Sequence, residues 1–532
     1  MADDGNTDLE AESSITEGGA RRDIKLVWVL RLSGLAAAAV VWLLLGASAE
    51  LSEDGRWVAA IAVLMAIWWT TEAIPLAATS LLPIVLIPIG TARSVSETTA
   101  PYANSIVFLF LGGFLIAIAM EKWNLHRRIA LITLRSFGIK PKQIVLSMML
   151  TTGFLSMWVS NTATTLMMLP IGLSIIALFT NASSTSGKDG ATKHADHRHG
   201  HVDAIEDKNI KQFSICLMLS IAWAATMGGL GTLLGSPPNA IIAGYAETEL
   251  GTTIDFFDWM LLGVPIATAF ILVGWVLMTR VLYPFELDEI PGGGELIDKE
   301  IKGLGPFGQG EAMVSAVFAS AAFLWIAPGL LSNVAGFSER FSWFANMNDA
   351  AIAIGAGIAL FILPGRRRSQ MVLTWKDAEH GLPWGVLLLF GGGLSLASAV
   401  ASTGLDAWLG SQVVGLGALP VVLLIAAVVL LVLFLTEVTS NTATAATFIP
   451  VLGGVALGIG MDPMSLLVPA ALAATCAFML PVGTPPNAIV FSTGAVTISQ
   501  MARGGLVLNC VGVVLITLFC YLLGYPTLGL KF

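Results

Sequence analysis

The amino-acid sequence predicts an all-α polytopic membrane protein, and its composition and segment pattern both indicate this class. Of the 532 residues, 55% are hydrophobic and only 12% are charged, whereas an ordinary soluble domain carries about 25% charged residues. Long apolar segments recur along the chain, and a spanning helix needs about 20 such residues. Too few charges remain to cover a soluble surface of this size, so we expect neither a soluble enzyme nor a disordered or fibrous protein.

The first 24 residues differ from the rest and predict a disordered cytoplasmic tail. The first 23 residues hold seven acidic and two basic side chains, so much of the net charge of −9 belongs to this tail. A secretory signal would begin with basic residues, which this start lacks. No basic face suited to nucleic acid is present. The four cysteines lie in apolar stretches without CxxC spacing, which favours buried thiols.

Nine apolar segments are candidate spanning helices: 26–48, 56–70, 73–90, 104–120, 257–280, 311–331, 348–364, 383–401 and 504–525. Four other apolar regions are longer and contain polar residues and prolines: 144–180, 213–245, 420–458 and 464–496. Non-helical backbone at membrane depth is tolerated only inside protein or beside a watery cavity, so we expect the functional site in these four regions.

Two of the four regions are interpreted as re-entrant hairpins, at about 141–175 and about 419–453. The prediction is then about eleven transmembrane helices and two hairpins. With the N-terminus inside, 22 Lys and Arg residues fall on the inner side and 4 on the outer side, and Arg31 lies within the first span. This bias predicts a multi-pass protein of the plasma (inner) membrane with a cytoplasmic N-terminus.

The chain also repeats itself. The SNTAT motif that begins at Ser160 recurs at Ser440, an offset of 280, and the GSPPN motif at Gly235 recurs as GTPPN at Gly483, an offset of 248. The first hairpin opens inward and the second outward, so the halves form an inverted repeat, which is typical of secondary transporters. We divide the chain into a tail (1–24), an N-terminal transmembrane helix (25–55), a first repeat (56–282) with a polar insertion (about 181–211), a linker (283–310) and a second repeat (311–532).

The interrupted regions suggest how ions are held. Each Pro-Pro pair removes two backbone donors, which leaves carbonyls for a cation such as Na⁺, and the helix that follows offers free N–H groups to an anion. The two SNT tips add neutral hydroxyl and amide groups that suit a small dianion. The alternative is that these residues only cap their helices.

Three further features admit more than one interpretation. Glu437 precedes the second SNT motif and could be a proton site, a cation-site helper or an acceptor for backbone N–H groups, and we favour the acceptor. Glu72 is interpreted as a structural residue at a helix start. The His-bearing stretch 193–201 could bind metal, but its Ser/Gly-rich surroundings favour a flexible loop.

A family resemblance rests on the repeated SNT and Pro-Pro motifs and on two further segments, WWTTEAIP and TEVTSNTATAATFIP. Residues 25–532 resemble the divalent anion/sodium symporter (DASS) family, whose members carry dicarboxylates, citrate or sulfate. The resemblance implies a homodimer in the lipid bilayer, with a scaffold domain and a transport domain that moves as an elevator. It implies no enzyme activity and no cofactor, but at least two co-transported Na⁺ ions.

The resemblance also places the sites. The first sodium site falls on Ser156, Ser160, Asn161 and Gly235. The second sodium site falls on Thr436, Thr439, Asn441 and Gly483. Substrate contacts fall on Ser160, Asn161, Thr162, Ser440, Asn441 and Thr442, with Ser236, Thr484 and Pro485 lining the site.

The sequence therefore predicts a sodium-coupled importer of C4-dicarboxylates such as succinate, malate and fumarate. A sodium-independent dicarboxylate exchanger and a citrate or sulfate carrier of the same family stay open as alternatives. An anion channel is the alternative from a different class, although a continuous pore would not require two inverted hairpins. An intramembrane enzyme is disfavoured because no nucleophile–base pair is visible.

Overall fold

A computed structural model describes residues 24–46, 50–138, 140–186, 207–287, 293–332, 347–366, 370–412, 415 and 419–532. Nearly all of the acidic tail and most of the His-bearing insertion lie outside these ranges. The described chain is almost entirely helical, as predicted.

The N-terminal half supplies the helices α1 Ile24–Leu45, α2 Glu53–Thr71, α3 Leu76–Thr79, α4 Leu82–Gly90, α5 Val95–Thr99, α6 Ser105–Lys122, α7 Leu125–Phe137, α8 Pro141–Ser156, α9 Asn161–Ser186, α10 Lys208–Gly228, α11 Pro237–Glu249 and α12 Phe256–Leu277. Short 3₁₀ turns cover Ala100–Ala103 and Leu233–Gly235, and a π-helical turn, Met278–Leu282, extends α12.

The C-terminal half supplies α13 Gly293–Gly303, α14 Gln309–Ser332, α15 Asp349–Ile362, α16 Trp375–Gly381, α17 Trp384–Ser402, α18 Leu405–Gln412, α19 Val421–Thr436, α20 Asn441–Gly458, α21 Met464–Thr475, α22 Pro485–Ser492 and α23 Ile498–Leu528. A two-stranded antiparallel ladder, β1 Pro364–Arg366 with β2 Gln370–Met371, follows α15.

Within the described ranges, nine helices are long and apolar enough to cross a membrane, and four shorter apolar stretches accompany them. The predicted span 73–90 is wrong as a single helix, since it is divided into α3 and α4. Pro83 has no N–H to donate to the carbonyl of Thr79, so the chain turns there and a new helix begins.

Two smaller expectations are also corrected. Glu72 ends α2 in the left-handed conformation (φ 49°) instead of starting a helix, because the next helix begins only after Pro75. Three of the four cysteines are buried as expected, but Cys510 is exposed. It lies on the outward side of α23, a helix that buries only part of its surface.

Both regions predicted as hairpins form a pair of helices joined by a four-residue turn, α8 with α9 and α19 with α20. Both regions with a Pro-Pro motif form two helices separated by an unwound segment, which we call the first break (residues 229–236, between α10 and α11) and the second break (residues 476–484, between α21 and α22).

The broken helices lie at the centre of the molecule. Every residue of α21 is buried, and α10 is buried along nearly its whole length. A helix that is apolar and buried on all sides belongs to the core. Close glycine contacts bring α10 against α8, since a Cβ at Gly228 would clash with the carbonyl oxygen of Gly153. The core therefore holds the breaks and the turns of the helix pairs together.

The described part of the linker between the halves contains the helix α13. Arg127 and Arg135 of α7 form ion pairs with Glu300 and Asp298 of α13, at 2.7 and 3.1 Å. Both pairs are partly exposed, so each contributes about 1 kcal/mol or less. They attach the linker to the amphipathic helix that precedes the first helix pair.

Candidate functional site

The first polar cluster forms where the turn between α8 and α9 meets the first break. The hydroxyl of Ser156, which is fully buried, donates to the carbonyl oxygen of Ala225 at 2.7 Å. The side-chain amide of Asn161 lies beside the Ser156 hydroxyl, and turning the amide so that its nitrogen faces the first break places that nitrogen 3.1 Å from the carbonyl oxygen of Ala225 and 3.2 Å from that of Gly235. Three of the four residues predicted for the first sodium site therefore converge.

Glycine is required where the first break approaches this cluster. A Cβ placed on Gly235 would lie 2.6 Å from the carbonyl oxygen of Gly229, and one placed on Gly229 would lie 3.0 Å from the amide of Asn161. Real Cβ atoms do not approach backbone oxygen so closely. The absence of side chains lets backbone oxygens crowd together, an arrangement suited to a cation.

The second polar cluster repeats the first in the other half of the chain. Thr436 donates to the side-chain oxygen of Asn441 at 2.7 Å and contacts the carbonyl oxygen of Ala474 at 3.0 Å. The amide nitrogen of Asn441 donates to the carbonyl oxygen of Thr475 at 3.0 Å. Thr436 and Asn441 correspond to Ser156 and Asn161 at the offset of 280, so the same two positions form both clusters.

The remaining two predicted residues of the second sodium site contribute differently. The hydroxyl of Thr439 donates to the carbonyl oxygen of Leu435 at 2.9 Å and contacts the hydroxyl of Thr444 at 2.5 Å, so it is already paired within the turn. Gly483 lies beside Glu437, because a Cβ there would meet the carbonyl and carboxylate oxygens of Glu437 at 3.2 and 3.3 Å.

Glu437 accepts hydrogen bonds from the second break. Its carboxylate receives the backbone N–H groups of Phe478 (2.7 Å), Met479 (3.0 Å to each oxygen) and Leu480 (3.2 Å), and the side-chain amide of Asn509 at 2.7 Å. The predicted acceptor role is confirmed. All of these partners donate, which matches an ionised carboxylate.

The two breaks touch at the centre. Thr475, the last residue of α21, donates to the hydroxyl oxygen of Ser236, which precedes α11, at 3.0 Å. The indole N–H of Trp223 in α10 donates to the carbonyl oxygen of Phe478 in the second break, also at 3.0 Å. Both contacts join one half of the chain to the other, so the two polar clusters belong to one continuous site.

Several predicted substrate residues keep free polar groups. The hydroxyls of Thr162, Ser440 and Thr442 are partly exposed and form no hydrogen bond with the described part of the chain. Ser160 and Thr484 act as caps instead, accepting the N–H groups of Ala163 at 3.2 Å and Asn487 at 3.4 Å. Pro485 is exposed at the start of α22. Among the SNT residues of the described chain, the capping interpretation is therefore confirmed for Ser160, whereas the Ser440 side chain forms no cap hydrogen bond.

Charge is almost absent from this region. Across residues 143–180, 212–246 and 407–502, the only charged side chains are Glu437 and Asp462. Both α11 and α22 begin beside the site and present the positive ends of their helix dipoles to it, although the two prolines that start each helix have no N–H. The site can hold an anion by helix ends and neutral side chains, and cations by oxygens.

Sequence reasoning missed three groups of site residues. Asn509 is the only asparagine of the largely apolar helix α23, a signal that could have been read as a buried partner for Glu437. Asn239 and Asn487 were seen as part of the repeated motif but were given no role. Trp223 carries no sequence signal, because its partner lies 255 residues away.

A family model and two similar proteins indicate related transporter families for this chain. Residues 25–530 match the family model described as the sodium:sulfate symporter transmembrane region. A sodium-dependent dicarboxylate transporter, SdcS, of Staphylococcus saprophyticus is 41% identical over 493 residues, which cover 92% of this chain and 90% of the relative. SdcS of Staphylococcus aureus (strain bovine RF122) is 41% identical over 484 residues, which cover 90% of this chain and 88% of the relative.

Two solved structures share the fold. The MtrF protein of Neisseria gonorrhoeae superposes with a TM-score of 0.55 at 12% identity and covers 92% of this chain and 98% of its own. The YdaH transporter of Alcanivorax borkumensis superposes with a TM-score of 0.54 at 13% identity and covers 94% of this chain and 98% of its own. At such low identity the likeness concerns the fold alone.

Proposed function

This chain belongs to the sodium:sulfate symporter family, and from that premise we propose that it is a sodium-coupled symporter that imports C4-dicarboxylates such as succinate, malate and fumarate. The 41% identical relatives named as sodium-dependent dicarboxylate transporters support both transported species. The observation that carries the proposal is the matched pair of polar clusters, Ser156 with Asn161 and Thr436 with Asn441, each beside an unwound helix. The chain is a transporter, so no catalytic residue is assigned.

The dicarboxylate binds between the two turns. One carboxylate is proposed to meet Ser160, Asn161 and Thr162, and the other to meet Ser440, Asn441 and Thr442. Ser236, Thr484 and Pro485 line the space between them. The free hydroxyls donate to the anion, and the positive ends of the α11 and α22 helix dipoles attract it without a formal positive charge. Neutral donors release the anion more readily than an arginine pair would.

Sodium neutralises the anion and is proposed to bind at two positions. The first Na⁺ lies among Ser156, Ser160, Asn161 and Gly235, and the second among Thr436, Thr439, Asn441 and Gly483. Unwound backbone carbonyls beside half-helix ends are established Na⁺ ligands in secondary transporters. At least two Na⁺ ions bound beside a dianion balance the two negative charges of the substrate before the site moves.

The proposed transport step is an elevator movement in a homodimer of the plasma (inner) membrane, with the N-terminus in the cytoplasm. The helix pairs α8–α9 and α19–α20 and the broken helices form the moving part, and they re-enter the membrane from opposite sides. The contacts between the breaks support this division, because they join the broken helices to each other through Ser236 and Thr475. A body held together in this way can carry its site as a unit.

Transport by the purified full chain in proteoliposomes tests the proposal. An inward Na⁺ gradient should accumulate radiolabelled succinate, and replacement of Na⁺ by K⁺ or choline should abolish accumulation. Succinate counterflow that continues unchanged without Na⁺ would contradict symport and support the dicarboxylate exchanger. A conductance far above carrier turnover would contradict both and support an anion channel.

A further inference from the structure

The side chain of Asn239 spans the first break by two hydrogen bonds, an arrangement that we call a bracket. It lies in the first turn of α11 and is fully buried. Its side-chain amide nitrogen donates to the carbonyl oxygen of Gly229 at 2.9 Å and to that of Thr232 at 2.8 Å. One side chain therefore ties α11 to two points of the unwound segment that precedes it.

Asn487 forms the same bracket across the second break. It is also fully buried, and its amide nitrogen donates to the carbonyl oxygens of Ala477 at 3.2 Å and Leu480 at 3.0 Å. An offset of 248 residues relates the first set, Asn239, Gly229 and Thr232, to the second set, Asn487, Ala477 and Leu480. The equivalent amide therefore donates to the equivalent two carbonyls in both halves, although the residues that carry those carbonyls differ.

A tryptophan completes each bracket from outside the break. The indole N–H of Trp259 donates to the carbonyl oxygen of Leu230 at 3.1 Å, and that of Trp223 donates to the carbonyl oxygen of Phe478 at 3.0 Å. Leu230 and Phe478 are again 248 residues apart. Three carbonyls of each break are therefore held by side-chain donors, which restricts the conformation of the unwound backbone.

Residues whose carbonyls are bracketed lie beside the two glycines of the proposed cation sites. The carbonyl oxygen of Gly229, which Asn239 holds, would lie 2.6 Å from a Cβ on Gly235. The Cβ of Ala477, whose carbonyl Asn487 holds, would lie 3.2 Å from a Cβ on Gly483. A shift of the peptide at Gly229 would therefore displace Gly235, and a shift of the peptide at Ala477 would displace Gly483.

Neither bracket is a fully satisfied structural contact. The side-chain oxygens of Asn239 and Asn487 are buried and find no hydrogen-bond donor among the described residues. A buried amide oxygen without a donor destabilises a fold, and here the same cost occurs at two matched positions. A functional role for the two amides explains why the same feature recurs at both matched positions.

We propose that Asn239 and Asn487 are positioning residues for cation binding, which hold the carbonyls of Gly235 and Gly483 toward the two sodium ions. This inference rests on the proposed sodium-coupled transport. Groups that orient metal ligands without touching the metal commonly change its affinity by about 10- to 100-fold when they are removed. Loss of either bracket should therefore weaken Na⁺ binding more than dicarboxylate binding.

The test uses Asn239→Leu and Asn487→Leu, which keep the side-chain size and remove both donors. In proteoliposomes each variant should raise the half-saturating Na⁺ concentration by about 10-fold or more, while the succinate KM at saturating Na⁺ changes less than about twofold. Asn209→Leu is the matched control, because Asn209 lies in α10 away from the breaks and only accepts the N–H of Glu286 at 3.3 Å. It should leave both constants unchanged.

A second measurement covers variants that lose uptake altogether. The melting temperature of purified protein is followed against Na⁺ concentration, with K⁺ as the ionic-strength control, for the Leu variants and for Asn239→Ala and Asn487→Ala. A Na⁺ midpoint shifted upward supports the proposal. An unchanged midpoint overturns it, whether or not uptake is lost, and would leave the amides with a structural role only. Failure of the wild-type chain to respond to Na⁺ would instead overturn the proposed function.

Discussion

The hydroxyl of Thr475 donates a hydrogen bond to the hydroxyl oxygen of Ser236 at 3.0 Å, and these residues belong to opposite halves of the chain. Thr475 ends α21 immediately before the second break, and Ser236 ends the first break immediately before α11. Both are buried. This contact places the two unwound segments side by side, so that a ligand between the helix pairs can meet both.

Removal of the Thr475 hydroxyl should loosen this junction. Thr475→Val keeps the side-chain shape, but it loses the bond to Ser236, which typically contributes about 1 kcal/mol to the free energy of unfolding. We expect a lower melting temperature and a raised succinate KM, measured by thermal unfolding and by uptake. Thr475→Ser retains the hydroxyl and serves as the control. Wild-type values for Thr475→Val would show that the junction is not needed.

The two asparagines of the SNT motifs should be indispensable for transport. Asn161→Ala and Asn441→Ala each remove an amide that contacts backbone carbonyl oxygens in or next to a break, and both amides lie at the proposed sodium and substrate positions. We expect each variant to fold, as judged by size-exclusion chromatography, but to lose uptake. Ser174→Ala in α9, at a partly exposed position outside the two polar clusters, should transport normally. Full activity of either asparagine variant would refute the site assignment.

Glu437 should be required for folding, since it pairs the N–H groups of the second break. In Glu437→Gln the new amide nitrogen faces donors, and hydrogen bonds to a charged group contribute about 1.5–3 kcal/mol each. We expect a loss of at least about 2 kcal/mol in the free energy of unfolding, seen as a lower melting temperature. Glu286→Gln, at an exposed position, is the control.

The alternatives for Glu437 are distinguished by the same variant. A protein that melts at the wild-type temperature but no longer transports would contradict the acceptor role. Such a result would favour a proton site or a direct contribution to cation binding.

Gly235 should not tolerate a side chain. In Gly235→Ala the Cβ would lie 2.6 Å from the carbonyl oxygen of Gly229, so the first break must shift. We expect uptake to fall at least about 10-fold, as for other changes that displace metal ligands. Gly355→Ala in α15, where a Cβ meets no atom within 4 Å, is the control. Equal uptake by Gly235→Ala and Gly355→Ala would show that transport does not depend on the geometry of the first break.

Much of the site was predictable because its local signals are strong. The Pro-Pro motifs fix the two breaks, since proline cannot supply the helical N–H, and the SNT motifs fix the turns between helices. The repeat then assigned equivalent positions, and Asn161 and Asn441 indeed occupy equivalent places in the two clusters. These inferences depend on neighbouring residues or on copies of one motif.

Partners that are distant in sequence could not be predicted in the same way. Glu437 was expected to accept backbone N–H groups, but the identity of Phe478, Met479 and Asn509 depends on how α19, the second break and α23 pack. The failure at segment 73–90 has a different origin. Hydropathy is continuous there, and the break comes from one missing donor at Pro83.

The coupling of succinate to Na⁺ is tested most directly by measuring both fluxes in one preparation. Proteoliposomes that contain the purified chain are given ²²Na⁺ and ¹⁴C-succinate, and initial rates are compared with protein-free vesicles. The two proposed cation sites predict that at least two Na⁺ ions enter with each succinate and that neither flux occurs alone. Succinate entry without accompanying Na⁺ would contradict the account.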